Sequence, residues 1–273
     1  MADASAGTAR DCAVADAGAL LADAVREAGA LALSLFRTEV KNWIKGASSP
    51  VSDADIAVND LLEQRLRSAT PDYGWLSEES ADDASRLERR LVWVVDPIDG
   101  TRNYLAGKED WCVSVALVEQ ASPVLAAVFA PASDEFFFAA CGEGATLNGM
   151  RVQATTGTAI DFSRMAGPKP LVERLNNASD GAITLHPRIG SLALRLCRVA
   201  QGSLDAAFAG GQSRDWDLAA ANLIVQEANG NMTALSGETI LYNRRDVTHG
   251  VLVAAGRDRH ASIVSHFRKR PLP

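Results

Sequence analysis

The segment LVWVVDPIDGT, residues 91–101, joins a run of apolar residues to two closely spaced carboxylates. Five consecutive apolar residues, three of them valine, predict a buried β-strand that ends at Asp96. Pro97 restricts the backbone after this strand, and Gly100 permits a tight turn or the close approach of a ligand. We therefore expect a buried strand to deliver Asp96 and Asp99 to one small region of the structure.

Asp96 and Asp99, with the carbonyl of Ile98 between them, form an oxygen-only ligand set of the kind that Mg²⁺ accepts. Thr101 adds a hydroxyl group directly after this set. An ordinary turn followed by a helix cap also fits the segment, because Asp-Gly is common in turns. Taken alone, the segment does not separate a metal site from a turn.

Three other acidic positions have the same ambiguity. Glu78, followed by Glu79, comes after Trp75-Leu76-Ser77 but also begins a solvated run of charges. Asp217 follows Trp216 at the start of an apolar helix, where the helix dipole favours an acidic residue. Asp55 lies three residues after Ser52, which is the spacing of a capping box.

Away from these residues, the first part of the chain predicts helices followed by antiparallel strands, and the second part alternates helix and strand. This division predicts an N-terminal α+β domain at 1–155 and a smaller α/β domain at 156–273 that supplies Asp217. Predicted helices cover residues 11–37, about 52–66, 191–201, 217–229 (closed by Gly230) and 259–268. Predicted strands cover residues 91–95, 113–118, 124–129, 135–140, a short segment between 144 and 148, 204–208 and 251–255, and a five-residue link at 119–123 joins two of them into a hairpin.

Composition restricts the class of protein. The chain has 273 residues, of which 47% are hydrophobic and 22% charged, which is typical of a globular protein. Its formal net charge of −7 argues against nucleic acid as the main partner. A phosphorylated small molecule is also an anion, so an acidic enzyme binds one only when cations lie between them.

The sequence shows no signal peptide or membrane span, and its cysteines are widely spaced. These features predict a soluble, cytoplasmic protein without a membrane partner. The first eleven residues lack the basic start and apolar core of a signal peptide. No apolar run reaches the ~18 residues of a membrane span. Cys12, Cys112, Cys141 and Cys197 are widely spaced, which predicts reduced, buried thiols.

Taken together, the acidic segments resemble the inositol monophosphatase superfamily of metal-dependent, lithium-sensitive phosphatases. The resemblance runs in the same order from about residue 12 to residue 255. It is carried by PVSDAD at 50–55, LSEE at 76–79, DPIDGT at 96–101, GEGA at 142–145 with Asn148-Gly149, IGS at 189–191 and WDLAA at 216–220. It implies a layered α/β/α/β/α sandwich, of mixed α+β and α/β character, and a homodimer.

The resemblance also implies a site that binds two or three Mg²⁺ ions and hydrolyses a phosphate monoester. Glu78, Asp96 and the Ile98 carbonyl would hold one ion, Asp96, Asp99 and Asp217 a second, and Glu78 would share a third through water. Asp55 and Thr101 would position and activate the attacking water. Gly100 and Thr101 would donate backbone hydrogen bonds to the phosphate.

Electrostatics agrees with this implied site. Several carboxylates in one cleft repel one another, and divalent cations remove that repulsion and attract phosphate. No histidine base is required, and the four histidines show no ligand spacing. Nucleophilic serine and P-loop motifs are absent from the sequence.

The substrate is less constrained. Several segments resemble the bacterial 3′(2′),5′-bisphosphate nucleotidase branch, which converts adenosine 3′,5′-bisphosphate to AMP. Ile98 is more usual in the inositol-1-phosphate phosphatase branch, and Thr101-Arg102 resembles the histidinol-phosphatase branch. Arg214, Asp205 and Asp215 are candidate substrate contacts or ordinary surface charges. A catalytically idle binding or regulatory relative is the alternative of a different class, but it should have lost an acidic ligand.

Overall fold

The computed structural model describes residues 4–45, 49–178, 181–270 and 272, and for residues 4–15 and 49 it describes the backbone only. Helical segments of this described part carry the labels α1 to α7. Their bounds are α1 (Ala4–Leu35), α2 (Asp53–Ala69), α3 (Thr101–Leu105), α4 (Lys169–Asn176), α5 (Leu192–Ala200), α6 (Asp215–Glu227) and α7 (Arg257–Lys269), with a 3₁₀ helix at Ala84–Glu88.

Strands of the described part form two larger sheets and two small antiparallel pairs. The larger sheet has the order β3 (Gly74–Ser77), β4 (Leu91–Asp99), β5 (Cys112–Glu119), β6 (Ser122–Ala130), β7 (Glu135–Ala140), β8 (Gly144–Leu147) and β9 (Met150–Arg151). The smaller sheet has the order β11 (Thr184–Leu185), β10 (Arg164–Ala166), β12 (Ala206–Ala209), β16 (Leu252–Gly256) and β14 (Gly230–Ala234). The pairs are β1 (Asn42–Lys45) with β2 (Ser49–Ser52), and β13 (Ser213–Arg214) with β15 (Thr248–His249).

Three hydrophobic clusters separate five layers of structure. One cluster packs α1 and α2 against the larger sheet. A second lies between the other face of that sheet, helices α5 and α6, and the smaller sheet. The third packs the smaller sheet against α4 and α7. This order of helix, sheet, helix, sheet and helix confirms the predicted layered sandwich.

Strand β5 shows why strands of the larger sheet have continuous apolar sequences. Every residue from Cys112 to Glu119 is buried, because α1 covers one face of the strand and α6 the other. The neighbouring strand β4 is buried from Val92 to Asp99 because α2 covers one of its faces and α6 the other. The polar residues at its end, Asp96 and Asp99, are therefore carried into the interior by the strand that precedes them.

Several predicted boundaries are wrong, and local backbone geometry explains them. The predicted five-residue hairpin link is only Gln120-Ala121, and both residues have positive φ angles of 48° and 67°. Neither is Gly or Asn, so the usual signal for such a turn is missing. Helix α6 begins at Asp215 and ends at Glu227, and Asn229, with φ of 60°, is the left-handed residue that follows it, whereas Gly230 begins β14.

Short elements were not predicted from the sequence. Strands β3, β10 and β11 have at most four residues, and β1 is exposed at every position, so they lack a clear alternating pattern. Cys112 and Cys197 are buried and free, as predicted, but Cys141 is exposed, and the side chain of Cys12 lies outside the described residues. Within the described part, no helix has the length and apolar character needed to cross a bilayer.

Candidate active site

The parallel pairing of β3 with β4 brings Glu78 and Asp96 to the same edge of the larger sheet. Ser77 pairs with Val95, and the Glu78 amide donates a hydrogen bond to the Val95 carbonyl at 3.2 Å. Pairing with β5 shifts register between Asp96 and Asp99, so the end of β4 is irregular. This irregularity allows two carboxylates three residues apart to reach one site.

Asp99 is fixed by the start of helix α5. Its Oδ2 accepts hydrogen bonds from the Ser191 hydroxyl at 2.5 Å and from the Ala193 amide at 2.6 Å. The Ser191 oxygen also accepts a bond from the Leu194 amide at 2.9 Å, so Ser191 caps α5 while it orients Asp99. These bonds fix the orientation of the Asp99 carboxylate.

Helix α6 carries Asp217 into the same site from the middle helical layer. The Asp217 Oδ2 accepts a bond from the Arg214 amide at 2.7 Å, which fixes the side chain at the start of the helix. One carboxylate oxygen from each of Asp96, Asp99 and Asp217 lies within 4.8 Å of the other two. The segments at 96–101 and 216–220 therefore meet, although more than a hundred residues separate them.

Asp55 and Thr101 form a second polar unit beside these carboxylates. The Asp55 Oδ2 accepts bonds from the Ser52 amide at 2.8 Å and the Ser52 hydroxyl at 2.6 Å. The Thr101 hydroxyl lies 3.0 Å from the Asp55 Oδ1 and 2.9 Å from the Ile98 carbonyl. Because a hydroxyl has one proton, it donates to only one of these acceptors at a time. Asp55 is thus a helix-capping residue whose charge also acts on Asp96.

Burial and mutual repulsion raise the pKa values of the clustered carboxyl groups. Burial is the largest cause at Glu78, where the charge of Asp217 adds to it and the pKa rises to about 8. Burial and then the charge of Asp99 raise the pKa of Asp217 to about 7. The pKa of Asp96 also rises, through burial and then the charge of Glu78. Burial is thus the main cause of these shifts, and repulsion between neighbouring carboxylates adds to it.

The donor set fits a hard divalent cation. Within the described residues, the buried Asp96 Oδ1 has no hydrogen-bond partner, which is costly for a carboxylate oxygen. The three clustered oxygens are all carboxylate oxygens, without a thiolate or an imidazole among them. Glu78 lies outside this tightest group, yet its charge contributes to the pKa of Asp96. These carboxylates could therefore hold one or more Mg²⁺ ions.

Other predicted site residues have varied surroundings. Gly100 has φ of 99°, and a Cβ atom there would lie 2.9 Å from the Asp110 carbonyl, so this position needs glycine. The Arg214 guanidinium is exposed and bonds the Thr248 hydroxyl at 2.6 Å. Asp205 and Asp215 are buried, so the interpretation of both as ordinary surface charges is wrong.

Sequence reasoning missed three residues around the site. Ser191 was recognised only as a residue at the start of a helix, although it bonds Asp99. Lys45 on β1 bonds the Glu78 carbonyl, and its Nζ lies 3.2 Å from the Glu79 carboxylate. The His249 Nε2 lies 2.6 Å from the Oδ1 of Asp215, and Asp215 is two residues before Asp217 in the sequence. Each connects distant parts of the chain, so local spacing could not reveal these contacts.

Comparison with known proteins agrees with the site. The family model described as the inositol monophosphatase family matches residues 16–272. A Rhizobium meliloti (strain 1021) protein named inositol-1-monophosphatase is 32% identical over 249 residues, which cover 86% of this chain and 90% of that protein. A Xylella fastidiosa (strain Temecula1) protein named Nus factor SuhB is 34% identical over 228 residues, covering 80% and 82%. A Mycobacterium tuberculosis histidinol-phosphatase is 36% identical over 201 residues, covering 69% and 75%.

Solved structures share the same architecture. The suhB extragenic suppressor protein of Bartonella henselae superposes with a TM-score of 0.79 at 26% identity, covering 92% of this chain and 98% of that one. A Thermotoga maritima IMPase superposes with a TM-score of 0.78, covering 93% and 97%, and its 24% identity supports the fold alone. The chain therefore belongs to the inositol monophosphatase family, whose members are phosphoric monoester hydrolases.

Proposed function

We propose that this chain is a Mg²⁺-dependent phosphomonoesterase that removes one phosphate from a small, soluble metabolite. The observation that carries the proposal is the convergence of Asp96, Asp99 and Asp217, whose oxygens lie within 4.8 Å of one another. The unpartnered Asp96 Oδ1 and the raised carboxyl pKa values both support a cation at this position. Membership of a phosphatase family supplies the reaction class.

In this proposal, Asp96, Asp99 and Asp217 would hold one Mg²⁺, Glu78, Asp96 and the Ile98 carbonyl would hold another, and Glu78 would share a third through water. When bound by these residues, Mg²⁺ would supply the positive charge that offsets the carboxylates and would make the attacking water more acidic. Ser191 and the Arg214 amide hold Asp99 and Asp217 in orientation through the bonds described above.

Asp55 and Thr101 handle the proton of the attacking water. When the Thr101 hydroxyl donates to the Asp55 Oδ1, its oxygen keeps lone pairs that can accept a hydrogen bond from that water. Ser52 fixes the other Asp55 oxygen, so the Asp55–Thr101 pair is oriented before the substrate arrives. As the water attacks phosphorus and the P–O bond to the leaving alcohol breaks, the water proton would pass to Thr101 while the Thr101 proton passes to Asp55, and the leaving oxygen would take a proton from solvent water.

Phosphate binding is assigned to the segment that follows β4. Gly100 and Thr101 offer backbone donors where the chain turns into α3, and the glycine lets the backbone come close to other groups. Arg214 is the proposed contact for a second anionic group of the substrate, since its guanidinium is exposed three residues before Asp217. These roles rest on position and chemistry.

The identity of the substrate depends on which branch of the family the chain belongs to. The nucleotidase branch, with adenosine 3′,5′-bisphosphate as substrate, rests on the sequence segments that resemble it. The relatives described above carry the names inositol-1-monophosphatase, histidinol-phosphatase and Nus factor SuhB, which favours inositol 1-phosphate and histidinol phosphate as competitors. Lithium inhibition, a homodimer, a cytoplasmic location and the lack of a nucleic-acid partner also remain predictions.

A non-catalytic role is the competing class. Relatives named Nus factor SuhB show that some family members carry a name unrelated to phosphate hydrolysis. An idle relative would be expected to lack part of the acidic set, whereas Asp55, Glu78, Asp96, Asp99 and Asp217 are all present here. The complete set favours the enzyme.

A phosphate-release assay tests the proposal. The purified chain is exhaustively dialysed against chelator and offered inositol 1-phosphate, histidinol phosphate, adenosine 3′,5′-bisphosphate and fructose 1,6-bisphosphate, with and without Mg²⁺. We expect release from at least one ester with Mg²⁺ and none without it, because carboxylates alone repel the phosphate. Full activity after metal removal would contradict the mechanism, and the preferred ester decides the branch.

A further inference from the structure

A second pocket lies outside the acidic cluster, at the carboxyl ends of the parallel strands β10 and β11. Its volume is about 430 Å³, which is within the range of small-molecule sites. Ligands of open α/β sheets bind outside the carboxyl ends of parallel strands, which is where this pocket lies. Location and size therefore both suit a small ligand.

Positive charge dominates the lining of this pocket. Lys169, Arg188 and Arg195 line it together with His186, and no acidic residue does, although the chain as a whole has a net charge of −7. The Lys169 ammonium lies 3.3 Å from Glu173, but both side chains are more than half exposed, so this pair is weak. Among the described residues, Arg188 makes no ion pair with an acidic side chain and is exposed.

Arg195 is the fixed member of this group. Its guanidinium donates to the Phe208 carbonyl at 3.1 Å and to the Ile189 carbonyl at 3.0 Å, which hold it at the pocket wall. Burial lowers the pKa of Arg195, the charge of Asp99 opposes this shift, and the charge of Arg188 adds to it. Arg188 and Arg195 therefore lie close enough for their charges to interact, and both line the pocket.

The pocket borders the acidic cluster through a short piece of backbone. Ile189 lines the pocket, and Ser191, two residues later, bonds Asp99. Arg195 lies on α5, two residues after Ala193, whose amide also bonds Asp99. The segment from Ile189 to Arg195 therefore contributes both to the pocket wall and to the residues that orient Asp99.

We infer that this cationic pocket binds a phosphate or carboxylate group of a small organic anion, with Arg188 as its main charged contact. Exposed Leu185 and buried Ile189 give the pocket an apolar side that suits the organic part of such a ligand. The anionic group comes either from the non-reacting end of the substrate, which rests on the proposed function and gives Arg188 the role assigned there to Arg214, or from a separate ligand. Both sources present the same kind of anionic group, and the effect of Arg188→Glu on the KM of the substrate distinguishes them.

Sulfate binding to the metal-free protein tests the pocket without reference to catalysis. Melting temperature is measured in chelator against sodium sulfate, with ionic strength held constant by chloride, for wild type, Arg188→Glu and Arg257→Glu. Arg257 is an exposed arginine on α7 that does not line the pocket, so its charge reversal is the matched control. We expect a saturable rise for wild type and the control that is lost in Arg188→Glu. No saturable rise, or the same rise in all three proteins, would overturn the inference.

Kinetics then identifies the source of the anion. If the substrate supplies it, Arg188→Glu raises the KM for adenosine 3′,5′-bisphosphate about ten-fold or more, the scale of one lost charge-assisted hydrogen bond, while inositol 1-phosphate changes less than about two-fold. Lost sulfate binding with unchanged KM values for both esters assigns the pocket to a separate ligand. If no ester is hydrolysed at all, the proposed function fails, and the sulfate titration still decides the pocket.

Discussion

Buried aspartates in two regions of the molecule have pKa values shifted in opposite directions. In the acidic cluster, burial and then neighbouring carboxylates raise the pKa values of Asp96 and Asp217. At Asp205, burial would also raise the pKa, but hydrogen bonds from Arg164 and Thr155 and the Arg164 charge outweigh it and lower the pKa. A buried aspartate thus stabilises the fold where the protein itself supplies cations, as at Asp205. Where the protein does not, as in the acidic cluster, we expect the aspartates to need an external cation.

The Asp205 carboxylate has hydrogen-bond and charge partners from the protein itself. The Asp205 carboxylate accepts bonds from the Thr155 hydroxyl and the Arg164 amide, each at 2.8 Å, and Arg259 lies 4.0 Å away. Asp96, in contrast, leaves Oδ1 without a partner among the described residues. This contrast predicts that substitutions in the two groups separate catalysis from stability.

The largest expected effect is on turnover in Asp96→Asn. The substitution keeps the shape of the side chain but removes the central charge of the proposed cation site, so kcat should fall by several orders of magnitude. Phosphate release at saturating substrate measures this fall, and circular dichroism checks that the fold is kept. Near-normal turnover would show that the active site lies elsewhere.

Asp205→Asn should give the reverse pattern. Loss of the carboxylate charge leaves the buried guanidinium of Arg259 without its anion, so the free energy of unfolding should fall by roughly 2 kcal/mol while kcat is kept. Because the folded pKa of Asp205 is lowered, wild type keeps this stabilisation above the ordinary carboxyl pKa of 3.8 and loses it as the pH falls further. Urea unfolding at pH 7 and below pH 4 measures both effects, and equal stability of the two proteins at pH 7 would contradict the account.

A smaller effect is expected for Ser191→Ala, which should lower both activity and stability. It removes the bond that orients Asp99 and the cap of α5, so we expect about a ten-fold loss of activity and about 1 kcal/mol of stability. The matched variant Ser191→Thr keeps the hydroxyl and should recover both. If Ser191→Ala loses stability but keeps its activity and its Mg²⁺ dependence, Ser191 has only a structural role.

These residues also show how much the sequence could predict. Asp96 and Asp99 were predictable because a long apolar strand ends in a compact ligand motif, and family resemblance joined them to Glu78 and Asp217. The main helices and central strands were predicted because their apolar patterns are long. Ser191, Lys45 and the Asp205 network were not, because their partners lie far away in the sequence and no local spacing encodes a contact of that kind. The cationic pocket is formed by residues from 166 to 195 and has no motif of its own.

The central claim is that the acidic cluster needs an external cation and the Asp205 network does not. The most direct measurement is the melting temperature as a function of Mg²⁺ for wild type, Asp96→Asn and Asp205→Asn, starting from protein dialysed against chelator. We predict a saturable rise for wild type and for Asp205→Asn, whose cation site is intact, and little or no rise for Asp96→Asn. An equal Mg²⁺-dependent rise in all three proteins would contradict the account.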